Sequence, residues 1–124
     1  MDLKGKNILV TGGGFGVGEG ICKVFLLCGA ELIINEKDQG KAETDSKKIP
    51  NALTIAADIS KTPEVEAMFR YIEKKVGVLH GLVNNAGVGL SNPAHEATVQ
   101  EFDMLYDIDI RGVWLISKFF VQHF

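Results

Sequence analysis

The chain has 124 residues, enough for one domain with a sizeable core and too few for two. Apolar residues make up 46% and charged residues 23%, a globular composition that excludes a disordered or fibrous chain. The net charge of −3 argues against a nucleic-acid partner held through its phosphates, and no apolar run approaches a membrane span.

Strand-like and helix-like segments alternate along the chain. Short apolar runs predict strands at 7–11, 31–35, 52–57 and 79–83. The first predicted helix begins at Ile21 and ends just before Gly29, and the second is an exposed, lysine-rich helix over 40–49. The third begins at the cap residue Thr62 and is closed by Gly77. After a loop over 87–97, the last helix begins at the capping box 98–101 and continues to the C-terminus. This order predicts an α/β chain with a Rossmann-type, doubly wound parallel sheet.

A receiver-like domain has a similar length and is also doubly wound. It would need clustered acidic residues at the end of the first strand, where this chain has Thr11 and three glycines. The histidines His80, His95 and His123 share no ligand spacing, so no metal site is predicted.

A glycine-rich loop, Thr11-Gly-Gly-Gly-Phe-Gly-Val-Gly18, lies between the first strand and the first helix. A dinucleotide pyrophosphate needs close backbone approach at a helix N-terminus, where free N–H groups and the helix dipole hold its charge. Glycines permit that approach because they carry no side chain. The loop therefore predicts a phosphate site, the alternative being a merely flexible loop.

Two motifs in this order resemble the short-chain dehydrogenase/reductase family over nearly the whole chain. They are Thr-Gly-x-x-x-Gly-x-Gly, framed by Gly12, Gly16 and Gly18, and Asn84-Asn-Ala-Gly87 after the fourth strand. The resemblance implies that a nicotinamide coenzyme contacts Thr11, Gly12, Gly14, Phe15, Gly16, Val17, Gly18, Asp58, Ile59, Asn85, Ala86 and Gly87. Asp58 would hold the adenine amino group with help from the Ile59 amide, and Phe15, unusual at its position, would narrow or cover the pyrophosphate site.

The end of the second strand predicts which coenzyme binds. Glu36 lies 18 residues beyond Gly18, near the position of a carboxylate that takes a ribose 2′-OH and repels a 2′-phosphate. Phe15 is not basic, whereas NADP-preferring members often carry a lysine or arginine there. Lys37, next to Glu36, is the one feature that favours NADP, unless it is only a solvated lysine at the end of the strand. We predict NAD, with NADP as the less favoured coenzyme.

The resemblance implies hydride transfer between the coenzyme and a small alcohol or ketone, with a serine and a Tyr-x-x-x-Lys pair as catalytic groups. Both lie downstream of the Asn-Asn-Ala-Gly motif in the family and have no counterpart here. Tyr71 and Lys75 match the spacing, but they precede the fourth strand and are read as a chance match. Asp109 stands where the family has an asparagine, so it either serves the site or bonds the neighbouring loop.

Residues 1–124 are therefore interpreted as an incomplete, coenzyme-binding domain that ends after about four strands. The alternative is a non-catalytic nucleotide-binding or interaction module. The last helix is apolar almost all round, and the fourth strand would form a sheet edge, so we expect a poorly soluble chain or a homo-oligomer through that helix. No signal sequence is recognised, and Cys22 and Cys28 point to different sides of one helix, which predicts a reduced, cytoplasmic protein.

Overall fold

The computed structural model describes all of residues 1–124 and contains one parallel four-stranded sheet. Its strands are β1 (Asn7–Thr11), β2 (Glu31–Glu36), β3 (Leu53–Ala56) and β4 (Gly81–Val83). They lie in the order β3-β2-β1-β4, and every neighbouring pair is parallel. The chain winds away from β1 on one side and returns on its other side at β4, which confirms the predicted doubly wound fold. Ligands bind at such a change of direction, beyond the carboxyl ends of the strands.

Helices connect and follow these strands. They are α1 (Gly16–Leu27), α2 (Gln39–Lys48), α3 (Thr62–Lys75), α4 (Val99–Leu105) and α5 (Val113–His123). A π-helical stretch, Tyr106–Gly112, joins α4 to α5 and is named the π segment. None of these helices has both the length and the apolarity that crossing a membrane requires.

Several helix ends follow the predicted local signals. Gly29 and Gly77 come after α1 and α3 with φ of +88° and +90°, a left-handed conformation that suits glycine. Before α4, the Glu101 N–H donates to the Thr98 hydroxyl at 3.1 Å, and the Thr98 N–H donates to the Glu101 carboxylate at 2.8 Å. The predicted capping box is therefore present.

Three helix predictions were wrong in detail. Helix α1 begins at Gly16 rather than at Ile21, because Gly18 belongs to the first helical turn, where it packs against Gly12 and Asn85. Lys61 occupies the cap position before α3, so Thr62 is the first helical residue. The last helix is not one regular α-helix, since the π segment interrupts it. A π turn accommodates an additional residue and so shifts the phase of the helix that follows it.

The two central strands, β1 and β2, are buried on both faces, as their continuous apolar runs predict, whereas β3 and β4 are half-buried. Leu9 and Ile33 point to one face, where they pack with Phe69 of α3 and Ile116 of α5. Their neighbours in the strands point to the other face and pack against α1 and α2; the core there includes Ile8, Val10, Cys22, Leu32, Ile34 and Ile49. Successive side chains of a strand point to opposite faces, so the short apolar strands serve both layers. The result is a rigid support for the loops at their carboxyl ends.

Candidate functional site

A cleft of about 400 Å³ opens at the carboxyl edge of the sheet. It contains all the predicted coenzyme-contacting residues except Thr11 and Gly14: Gly12, Phe15, Gly16, Val17, Gly18, Glu36, Lys37, Asp58, Ile59, Asn85, Ala86 and Gly87. Val88, from a segment that the sequence places along one wall of the site, lines it too, together with four residues that the sequence does not single out: Asn35, Lys41, Ala57 and Ile108. Residues from four strand ends and the π segment thus meet at one place.

Thr11 lies beneath the cleft wall and joins the two loops that carry the motifs. Its hydroxyl oxygen accepts hydrogen bonds from the N–H groups of Asn85 and Ala86, both at 3.0 Å. In return, the Asn85 side-chain amide donates to the carbonyl oxygens of Thr11 at 3.0 Å and Gly12 at 2.8 Å. These four bonds fix the glycine-rich loop against the loop that follows β4.

The glycines permit a close backbone approach in this loop. Gly12 and Gly16 have φ of +64° and +59°, which side chains disfavour. A β-carbon on Gly18 would overlap the Gly12 carbonyl oxygen and the Asn85 amide nitrogen. Phe15 precedes α1 without giving it a side-chain cap, so the first-turn N–H groups at the cleft lack that partner. An uncapped helix start of this kind suits an anion such as a pyrophosphate.

The Glu36 side chain is buried at the end of β2, with 5% of its surface exposed. One of its oxygens accepts the Gly14 N–H at 3.1 Å, so Gly14 supports Glu36 instead of lining the cleft. Burial raises the pKa of Glu36 to about 7, and Asp45 adds to this through a hydrogen bond and its charge, against the opposing effects of the Gly14 N–H and Lys41. The carboxyl therefore changes its charge near neutral pH.

Exposed side chains surround this end of the cleft. Lys37 and Lys41 both line it, one beside Glu36 in sequence and the other on α2. Phe15 also borders it and is 64% exposed. The expectation that Phe15 covers a bound pyrophosphate stays a prediction.

Asp58 and Ile59 form the wall of the cleft that follows β3. The Asp58 carboxylate accepts from the Ser60 N–H at 3.0 Å and from the Ser60 hydroxyl at 2.6 Å. Partial burial would raise the pKa of Asp58, but these two bonds, with Lys37 and Lys61, outweigh it and hold the pKa below its ordinary value. Asp58 thus remains an anionic hydrogen-bond acceptor at neutral pH.

The π segment joins two of the loops around the cleft. The Asp109 carboxylate accepts a hydrogen bond from the Val88 N–H at 2.9 Å. Of the two roles expected for Asp109, the structure therefore contains the bond to the neighbouring loop. Arg111, which the sequence had not indicated, donates to the Ser60 carbonyl at 2.6 Å and to the Thr62 hydroxyl at 2.9 Å. No local pattern distinguishes such an arginine from a solvated one, because its partners lie about 50 positions away in sequence.

Tyr71, which matches the family's tyrosine only by spacing, lies on α3 with about half of its surface exposed. Neither it nor Lys75 lines the cleft. The structure therefore offers no support for a catalytic role of this pair.

Comparisons with known proteins agree with this geometry. Residues 6–124 match the short chain dehydrogenase family. A 3-ketoacyl-(acyl-carrier-protein) reductase from Brucella melitensis, solved in complex with NADH, superposes with a TM-score of 0.92 at 39% identity, covering 99% of this chain and 51% of that one. A 2-keto-3-deoxy-D-gluconate dehydrogenase from Streptococcus agalactiae gives a TM-score of 0.85 at 28% identity, covering 98% and 47%.

Curated relatives match over a similar extent. The 2-(S)-hydroxypropyl-CoM dehydrogenase 3 of Xanthobacter autotrophicus is 33% identical over 120 residues, which cover 94% of this chain and 47% of that protein. The L-fucose dehydrogenase of Bos taurus is 28% identical over 123 residues, covering 96% and 44%. The chain thus spans about half the length of the relatives it matches.

Proposed function

The chain belongs to the short-chain dehydrogenase/reductase family, and from that premise we propose that residues 1–124 form the coenzyme-binding domain of an NAD-dependent oxidoreductase. The reaction would move a hydride between the nicotinamide and a small alcohol or ketone. The observation that carries the choice of NAD is the buried carboxyl of Glu36 in the cleft, at the end of β2.

The residues around the cleft fit such a coenzyme. The glycine-rich loop presents backbone without side chains at Gly12 and Gly16, and the uncapped start of α1 offers N–H groups to a pyrophosphate. Glu36 would accept the hydroxyl groups of the adenosine ribose, and Asp58 with the Ile59 N–H would hold the adenine. The coenzyme, when bound, supplies the hydride acceptor or donor.

NADP is the second candidate, because Lys37 and Lys41 lie at the same end of the cleft. Both lysines are exposed, however, and water screens their charge, whereas the Gly14 N–H holds Glu36 in a buried position. A carboxyl in this place competes directly with a 2′-phosphate for space and charge. We therefore propose NAD as the preferred coenzyme.

A nucleotide titration tests the proposal. NADH and NADPH are added to the purified chain, to Glu36→Ala and to the control Glu43→Gln, whose removed carboxylate is exposed on α2. We expect the wild type to prefer NADH, Glu36→Ala to lose about tenfold in NADH affinity, and the control to behave as the wild type. Tighter binding of NADPH by the wild type would refute the choice of NAD.

Turnover separates the coenzyme-binding role from catalysis. This chain has no serine or Tyr-x-x-x-Lys pair at the cleft, so we expect NADH binding without turnover across a panel of alcohols and ketones. Oxidation or reduction of any of them by the chain would contradict this expectation. Failure to bind either nucleotide would favour the alternative, a non-catalytic interaction module.

We also propose that the chain forms a homo-oligomer through its last helical region. Phe102, Tyr106, Ile110 and Trp114 recur every fourth residue, each is about half exposed, and the rings of Phe102 and Tyr106 stack on each other. Light scattering over a concentration series should show association that Trp114→Glu weakens. A monodisperse monomer at all concentrations would exclude this interface.

The cytoplasmic location stays a prediction that imaging of the tagged protein tests.

A further inference from the structure

A second acidic side chain is buried behind Glu36. Asp45 lies on α2 with 4% of its surface exposed, and its Oδ2 atom has no hydrogen-bond partner. A β-carbon on Gly14 would overlap the Asp45 carboxylate, so the absence of a side chain at Gly14 leaves the space that Asp45 fills. The lysine-rich sequence of α2 predicts an exposed helix, and this prediction is wrong for Asp45, which is buried.

Asp45 borders a small pocket together with Glu36, Lys41 and Lys48, but it forms no ion pair there. No salt bridge joins it to a lysine: Lys48 donates instead to the Gly14 carbonyl oxygen at 3.1 Å, and Lys37 and Lys41 are exposed at the cleft. On the α1 side, burial raises the pKa of the Cys22 thiol to about 11, which leaves it uncharged. Glu19, also on α1, pairs with Lys23 at 3.1 Å.

Two buried carboxyl groups side by side cannot both ionise without a large free-energy cost. The least costly arrangement holds one proton between them, so that one group donates and the other accepts. The Gly14 N–H continues to bond the Glu36 oxygen it already contacts.

We propose that Asp45 is a specificity-determining residue, which shares one proton with Glu36 and sets how strongly the site rejects a ribose 2′-phosphate. The proposal deepens the proposed function, on which it rests, since it concerns the same nucleotide site. With the proton bound, the pair carries one negative charge. When the proton leaves to solvent above neutral pH, a second negative charge faces the 2′ position, and discrimination against NADP(H) increases.

Asp45→Asn separates this effect from that of Glu36 alone. The amide has nearly the same shape, but it removes the hydrogen bond and the charge of one carboxyl group. Burial alone then raises the pKa of Glu36, which ionises at a lower pH than in the wild type. The 2′-phosphate itself titrates near pH 6, and this contribution is common to both proteins. A pH dependence that differs between them therefore reports the shared proton.

The first measurement needs no nucleotide. Carboxyl carbon NMR of the purified chain, with Glu36 assigned through Glu36→Gln, should give a wild-type midpoint near 7 and a lower midpoint in Asp45→Asn, because burial still raises the pKa of Glu36 but Asp45 no longer does. A wild-type midpoint below about 5, or the same midpoint in both proteins, would overturn the inference. The wild-type titration decides the matter even if the variant does not fold.

The second measurement compares nucleotides. The ratio of the NADPH and NADH dissociation constants should rise by about tenfold more from pH 6 to 8.5 in the wild type than in Asp45→Asn. Glu43→Gln, which removes an exposed carboxylate from the same helix, should keep the wild-type slope. Equal slopes in wild type and Asp45→Asn would overturn the inference and leave the NAD proposal intact. Absence of NADH binding would instead refute the proposed function, while the NMR titration still tests the pair.

Discussion

Gly18 is the point at which α1 closes onto the end of β1, and replacing it with alanine tests the geometry of the whole loop. The added β-carbon would overlap the Gly12 carbonyl oxygen and the Asn85 side-chain nitrogen. Relief requires that both the Gly12 carbonyl and Asn85 move, so that Asn85 gives up its bonds to the carbonyl oxygens of Gly12 at 2.8 Å and Thr11 at 3.0 Å. Position 18 is thus predicted to tolerate no side chain.

The expected magnitude follows from three contributions. Overpacking costs about 1–3 kcal/mol, and each lost hydrogen bond costs about 1 kcal/mol. Alanine returns about 1 kcal/mol because it is a better helix former than glycine. We therefore expect Gly18→Ala to lower the free energy of unfolding by about 2–4 kcal/mol and to weaken NADH binding, because the phosphate loop shifts.

Gly20 is a matched control on the same helix. A β-carbon there would have no heavy atom within 4 Å, so Gly20→Ala gains helix propensity without a clash. We expect it to raise the free energy of unfolding by up to about 1 kcal/mol. Urea unfolding of both variants, with the slopes compared, measures the difference. If Gly18→Ala is as stable as Gly20→Ala, the close approach of α1 to β1 is refuted.

Three further predictions concern the neighbours of the cleft. Asp109→Ala should lower the free energy of unfolding by about 1–2 kcal/mol because it leaves the Val88 N–H unpaired, whereas Asp109→Asn, which keeps an acceptor oxygen, should cost less than about 0.5 kcal/mol. Arg111→Met should cost about 1.5–3 kcal/mol through the lost bond to the Ser60 carbonyl, and a silent variant would exclude that bond as a support of the loop. The raised pKa of Glu36, about 7, means that the folded state holds a proton that the unfolded state releases near pH 4.3. Stability should then fall by up to about 3 kcal/mol between pH 5 and 8 in a urea series, and a rise would contradict the shift.

Spacing and family motifs in the sequence could predict much of the cleft, and one property of parallel sheets explains why the predicted residues meet. Every strand ends at the same edge, so the residues that follow each strand must meet there. Gly12, Glu36, Asp58 and Asn85 each come from the end of a different strand, and all four line one cleft. Their convergence needs no knowledge of side-chain contacts, only the order of strands and crossovers.

The residues that sequence reasoning missed act across long separations. Asp45 looks like one more polar residue of α2, and only the missing side chain at Gly14, 31 positions earlier, makes room for its burial. Lys41 reaches the cleft from the same helix. Arg111 is likewise indistinguishable from a solvated arginine until the fold brings the Ser60 carbonyl within hydrogen-bonding distance of it. Periodicity predicts which face of a helix is apolar, but it carries no information about which polar residue has a distant partner.

The π segment explains how one helical stretch can serve several neighbours at once. Within it, Ile108 faces the cleft, Asp109 bonds the loop after β4, and Arg111 bonds the loop after β3. Gly112 ends it with its α-carbon so close to the Ile59 side chain that a β-carbon would lie 2.9 Å from it. A regular α-helix would rotate these residues to other directions, because each i→i+5 turn accommodates one residue more than an i→i+4 turn.

The extra residue also changes the phase of α5, where Leu115 and Ile116 are both buried. The π segment therefore contacts two walls of the cleft and also allows the following helix α5 to bury its apolar side chains in the core.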